Sequence, residues 1–158
     1  MSEDARFEDS SESPLRLKAL DAEDLQVLSA LVQDAVFPAS EMAWQSKDRR
    51  FAILLNRFRW EDASNADKRK RAYERVQSLL AFENVVAVRS QGVQKGDSDT
   101  ILSLLAVTFE AGKDGTGSIF LTFAGDGVLA LEVEAIEAQL RDVTRPYVAP
   151  SRKMPGHD

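Results

Sequence analysis

Residues 44–60 bring together Trp44, Arg49, Arg50, Arg57, Arg59 and Trp60, a dense pairing of fixed positive charge with large aromatic rings. A guanidinium meets a phosphate or carboxylate through paired hydrogen bonds, and an aromatic face stacks a base. These six residues are the candidate binding surface. The chemistry open to them is recognition of an anion or a nucleobase, as in single-stranded RNA or a nucleotide. The competing reading makes the arginines the solvated ends of a core strand, their stems lying over apolar neighbours. Nearby, the KRKR run Lys68–Arg71 adds charge that reads as the solubilising part of an exposed loop.

Catalytic chemistry is narrowed mainly by what is missing. The chain has no cysteine, which removes disulfides, thiolate nucleophiles and thiolate metal sites. Its one histidine, His157, is next to last and reads as a tail residue, so Ser-His-Asp and Cys-His catalysis are excluded. No catalytic residue, no metal ligand set and no cofactor is expected. An enzyme would have to rely on carboxylates and arginine alone. Asp21, Asp24 and Asp34 lie on or beside a predicted helix, where the first two act as caps. Glu132, Glu134 and Glu137 read as a solvated face. GKDGTGS (Gly112–Ser118) lacks the order of a phosphate loop and joins two strands. KGDSDT (Lys95–Thr100) places Asp97 and Asp99 two apart but lacks the later ligands of a calcium loop.

The elements that must position the arginines follow from periodicity. Phe51, Ile53, Leu55 and Arg57 fall on one side of a strand, and Ala52, Leu54, Asn56, Phe58 and Trp60 on the other. Both sets are mainly apolar, which predicts a central strand covered on both faces. Glu41–Ser46 is a shorter strand joined to it by a tight turn at Lys47–Asp48. Leu25, Leu28, Leu31 and Val32 recur at helical spacing, giving an amphipathic helix over Ala22–Gln33 capped by Asp21 and Asp24. Ala35–Phe37 starts a strand that Pro38 ends or confines to an edge. Residues 73–82 fit helix or strand, and the hairpin context favours strand, with a turn at Glu83–Asn84 and a partner strand over Val85–Arg89. Further strands are predicted at Ile101–Phe109, Ser118–Phe123 and Val128–Val133, and a helix at Glu134–Val143 with Ile136, Leu140 and Val143 inward. The predicted class is α+β, an antiparallel sheet of roughly six to eight strands carrying an early amphipathic helix and a C-terminal helix. A pleckstrin-homology-like barrel is the alternative.

At 158 residues one domain with a sizeable core is expected over 14–145, between a disordered acidic tail (1–13) and a flexible proline-containing tail (146–158). Net charge is −6, which disfavours broad nucleic-acid binding, yet Glu41–Arg75 is +4 against −10 elsewhere. No run approaches the roughly 18 apolar residues of a membrane helix, and the start lacks a secretory pattern. The cytoplasm is the expected compartment, with no membrane association.

Two stretches, LRLKALDAEDLQVLSALVQDAV (Leu15–Val36) and RRFAILLNRFRWE (Arg49–Glu61), resemble a family of small bacterial proteins described as a domain of unknown function. The resemblance covers about Leu15–Val143. It implies a cytosolic single-domain protein, and it brings no activity, substrate, cofactor or catalytic residue. The function expected is a non-enzymatic binding or protein-interaction module. Its partner is another protein or a second copy, in a homodimer paired through the edge around Glu41–Gln45.

Overall fold

Alternation decides most of the chain. In Arg50–Phe58 the side chains of Phe51, Ile53 and Leu55 are buried, while Ala52, Leu54 and Asn56 between them are half-buried. That is the period-two pattern of a strand with one face on a core. The computed structural model describes residues 14–68, 73–93 and 99–148. Among them are eleven strands: β1 (Arg16–Ala19), β2 (Ala35–Pro38), β3 (Met42–Gln45), β4 (Arg50–Phe58), β5 (Glu74–Phe82), β6 (Val85–Gln91), β7 (Ile101–Ala111), β8 (Gly117–Phe123), β9 (Val128–Val133), β10 (Ala138–Asp142) and β11 (Tyr147–Val148). Helix α1 is Ala22–Val32 and the short helix α2 is Ala63–Lys68.

The strands form one antiparallel sheet in the order β1-β10-β5-β4-β2-β7-β8-β9-β6, with β3 added to β4 and β11 to β5. Its inner face supplies Phe51, Ile53, Leu80, Leu104, Leu121 and Leu131, against which α1 buries Leu25, Leu28 and Val32. The sheet bends far enough that the first residue of β6 returns to the β3–β4 turn, where the Val85 N–H donates to the Arg49 carbonyl at 2.9 Å. No helix among the described residues is long and apolar enough to cross a membrane.

Helix α1 begins where its caps place it. The Asp21 carboxylate accepts from the Asp24 N–H at 2.8 Å, and the Asp24 carboxylate accepts from the Leu20 N–H at 3.2 Å. Two otherwise orphaned donors are thereby satisfied. Asp21→Ala should destabilise the fold by about 1 kcal/mol, read as a lower urea midpoint at unchanged slope.

The α+β expectation with a C-terminal helix is overturned. The segment predicted as that helix is a bend followed by β10, with Ala138 and Leu140 inward and Gln139 outward. It pairs with β5 on one side and β1 on the other, and those two ladders outweigh the helix propensity of its residues. The sheet exceeds the six to eight strands predicted, and among the described residues no helix follows the last long strand, so the pleckstrin-homology-like alternative fails too. Residues 74–82 are a strand, as favoured, but β6 does not pair with it. Both edges of β5 are taken, by β4 and by β10 with β11, and β6 crosses to β9 instead. Tyr147 and Val148, expected in the loose tail, pair with Arg75 and Glu74 of β5. Residues 1–13 and 149–158 of the predicted tails, with His157 among them, residues Arg69–Arg71 of the KRKR run and Asp97 lie outside the described residues.

Candidate functional site

β4 carries the predicted arginines, but it separates them. A nine-residue strand sets Arg50 and Arg57 roughly 24 Å apart, and their opposite parity points them to different faces. At its N-terminal end Arg49 takes a left-handed conformation (φ 53°) to close the turn from β3 and pairs with Glu134. Arg50 donates from Nε to both oxygens of Glu83, at 3.1 and 2.9 Å. Trp44, on β3 opposite Phe51, is 38 % exposed.

At the other end Arg57 takes the core-facing position that follows Phe51, Ile53 and Leu55, and its side chain is fully buried. Its guanidinium lies between two carboxylates. It donates to both oxygens of Glu61 at 2.8 and 2.7 Å, and to Asp142 at 3.0–3.1 Å. Ser78 Oγ donates to Asp142 Oδ1 at 2.7 Å, and the Leu15 N–H donates to Asp142 Oδ2 at 2.8 Å. Burial alone would raise the Glu61 pKa, but the hydrogen bonds and charge of Arg57 outweigh it and hold the carboxyl below its ordinary value. Arg59, also buried, pairs with Glu74 at 2.6 Å and Asp62 at 3.4 Å. The Trp60 indole N–H donates to the Gln33 carbonyl at 3.0 Å, and its ring meets Phe58 edge-on at 4.6 Å. The six predicted residues thus fall into an exposed group (Trp44, Arg49, Arg50) and a packed group (Arg57, Arg59, Trp60). The arginines of the second group are not solvated strand ends. Their donors are directed at carboxylates of the chain itself, where an incoming phosphate would have to compete.

Among the described residues a concave surface lies elsewhere, on the outer face of β3, β4, β5 and β10, with a volume of about 460 Å³. Its shape follows from register. Ala43, Ala52 and Ala81 stand opposite one another on successive strands, so the middle of this face is shallow. Leu54 and Leu79 form an apolar wall on one side, and the Arg50–Glu83 pair closes the other. Arg141 borders it on β10, opposite Leu79. Of these residues only Arg50 was singled out by sequence. The others carry no local signal, because cross-strand alignment decides which small residues share a row. A second concavity of about 460 Å³ on the outer face of β6, β8 and β9 holds Arg89 paired to Glu132, with Ser118 donating to the same carboxylate at 2.8 Å.

Among the described residues no group of three or more His, Asp or Glu side chains is arranged to hold a metal. GKDGTGS is the turn from β7 to β8, closed by the Gly112 N–H donating to the Thr116 carbonyl at 2.8 Å. No curated protein and no solved structure matches the chain. One family model does, over residues 15–157, and it takes in every strand and helix described above. The chain belongs to the family described as protein of unknown function DUF2948.

Proposed function

We propose that the protein is a non-enzymatic, cytosolic interaction module that receives an extended peptide segment across the concave outer face of β3, β4, β5 and β10. The observation that supports this reading is the form of that face, an apolar floor between Leu54–Leu79 and the Arg50–Glu83 pair, left uncovered by α1, which packs on the opposite side. An uncovered apolar area rimmed by charge is the usual form of a protein-interaction surface. A peptide laid across the strands can place side chains on the floor while its backbone polar groups reach the charged rim. The cysteine-free composition agrees with a reducing compartment.

The test is selection from a random peptide display library on the full-length protein, followed by affinity measurement on Ala43→Arg and Ala52→Arg. Both alanines lie on the outer face and are not fully buried, so an arginine there fills the concavity without entering the core. Enriched peptides should lose at least about tenfold in affinity on both variants, or roughly 1.4 kcal/mol. Enrichment that is absent, or indifferent to both substitutions, overturns the reading.

A further inference from the structure

We infer that this concavity takes an acidic segment with an aromatic anchor, and that its occupant in the free protein is the chain's own residues 3–12. The inference rests on the peptide-docking reading and adds the chemistry of the ligand. The outer face continues beyond β10 onto β1, because Arg16 stands opposite Arg141 and Lys18 opposite Gln139. Residues opposite one another share a face, so Arg16, Lys18 and Arg141 form one basic margin beside the apolar floor. Among the described residues none of the three has a carboxylate partner, whereas Arg50 is matched by Glu83. The margin therefore offers cationic groups to an incoming anion.

Residues 1–13 carry the complementary charge. Glu3, Asp4, Glu8, Asp9 and Glu12 stand against Arg6 alone, and Phe7 is the one aromatic residue among them. The segment joins the fold at Leu15, just before β1 at the edge of the sheet, where the Leu15 N–H donates to the inward Asp142. From β1 to β4 is three strand spacings, roughly 14 Å. Eight residues from Leu15 back to Phe7 span up to about 27 Å. Phe7 can therefore reach the floor at Ala52 and Ala81, with Glu8, Asp9 and Glu12, which lie between it and Leu15, over the basic margin. The opposite terminus has the wrong sign, since residues 149–158 carry Arg152 and Lys153 against Asp158.

A covalently attached occupant acts at high effective concentration, so charge contacts that would be weak between separate molecules suffice. It also competes with any external peptide, whose apparent affinity falls by the fraction of protein left open.

The absence of cysteine permits a clean test, because Ser10→Cys can carry the single nitroxide of the full-length protein. At low salt, backbone amide signals of Ala52, Leu54 and Leu79 should lose at least about half their intensity to paramagnetic broadening. High salt, or Arg16→Glu with Lys18→Glu and Arg141→Glu, should restore them. In parallel, Phe7→Ala should tighten binding of a library-selected peptide by about 3- to 10-fold. Broadening confined to β1, or unchanged by salt and charge reversal, overturns the inference. If library peptides bind the concavity but the label leaves it untouched, the docking reading stands and this inference falls. If the label broadens the face and no library peptide binds, the inference holds and the docking of external partners falls.

Discussion

An Asp142→Ala variant should be less stable than the wild type by about 3–5 kcal/mol, the cost typical of removing one partner of a buried ion pair. The Asp142 side chain is 4 % exposed and that of Arg57 not at all, so the lost carboxylate leaves a buried charge without one of its two partners. Three groups lose an acceptor together: the Arg57 guanidinium, the Ser78 hydroxyl and the Leu15 N–H. The last of these couples the start of β1 to the end of β10, so the loss reaches the sheet edge. Urea denaturation reads the effect as a fall in midpoint. Arg57→Leu combined with Asp142→Leu should recover part of it, because the Arg57–Asp142 charges are removed together, while Glu61, 31 % exposed, stays partly in water when it loses Arg57. A double variant as unstable as Asp142→Ala would show that the ion pair has no role of its own in this loss. Glu61 adds a pH dependence of definite sign. Its folded pKa is held below the ordinary 4.5, so its contribution is complete above that value and is lost as the pH falls through the lowered one. The wild type should therefore weaken in acid more steeply than the Arg57→Leu, Asp142→Leu protein.

The same cluster explains where the sequence was legible and where it was not. β4 and β7–β9 declare themselves through short apolar runs bounded by turn residues, β5 only through its hairpin context, and α1 because Asp21 and Asp24 mark its start ahead of a helical stripe. Arg57 and Asp142 each occupy an inward position where an apolar residue is expected. Read singly, Arg57 suggests the exposed end of a strand. Asp142 spoils the alternation of Ala138 and Leu140, leaving Ile136, Leu140 and Val143 to suggest a helix. Only β5, lying between β4 and β10, brings the two polar positions within hydrogen-bonding distance and makes both consistent with strands. The hairpin expected from β5 to β6 failed for a related reason. Its turn is real, with Asn84 at φ 59°, but no edge of β5 remained open. The concave face was illegible because its floor is defined by the alignment of Ala43, Ala52 and Ala81 across three strands. A shift of one residue in any ladder would turn the moved strand's alanine toward the core.

Phe37→Ala should cost about 3–5 kcal/mol, the range for truncating a buried phenylalanine. Its position makes the upper half of that range the expected outcome. β2 is four residues long and joins the half of the sheet containing β4 to the half beginning at β7. It pairs along its whole length with β7, but its register with β4 rests on Val36 opposite Asn56. Asn56 supports that join weakly, donating to the Val36 carbonyl at 3.4 Å. At this seam the halves are held by what packs beneath it, α1 and the Phe37 ring, 1 % exposed and edge-on to Phe123 at 5.9 Å, while the Val85–Arg49 bond joins them on the far side. Backbone pairing there is too sparse to keep the strands in place once the ring is gone, and a cavity at a join between ladders has no continuous hydrogen bonding to resist opening. Phe37→Leu, which keeps most of the volume, should cost less than about 1.5 kcal/mol. Native-state hydrogen exchange separates the seam from an ordinary core site. In Phe37→Ala the amides of β2 and the C-terminal half of β4 should lose protection before those of β8 and β9. Uniform loss across all four strands would mean that β2 is locked into the sheet by more than its packing.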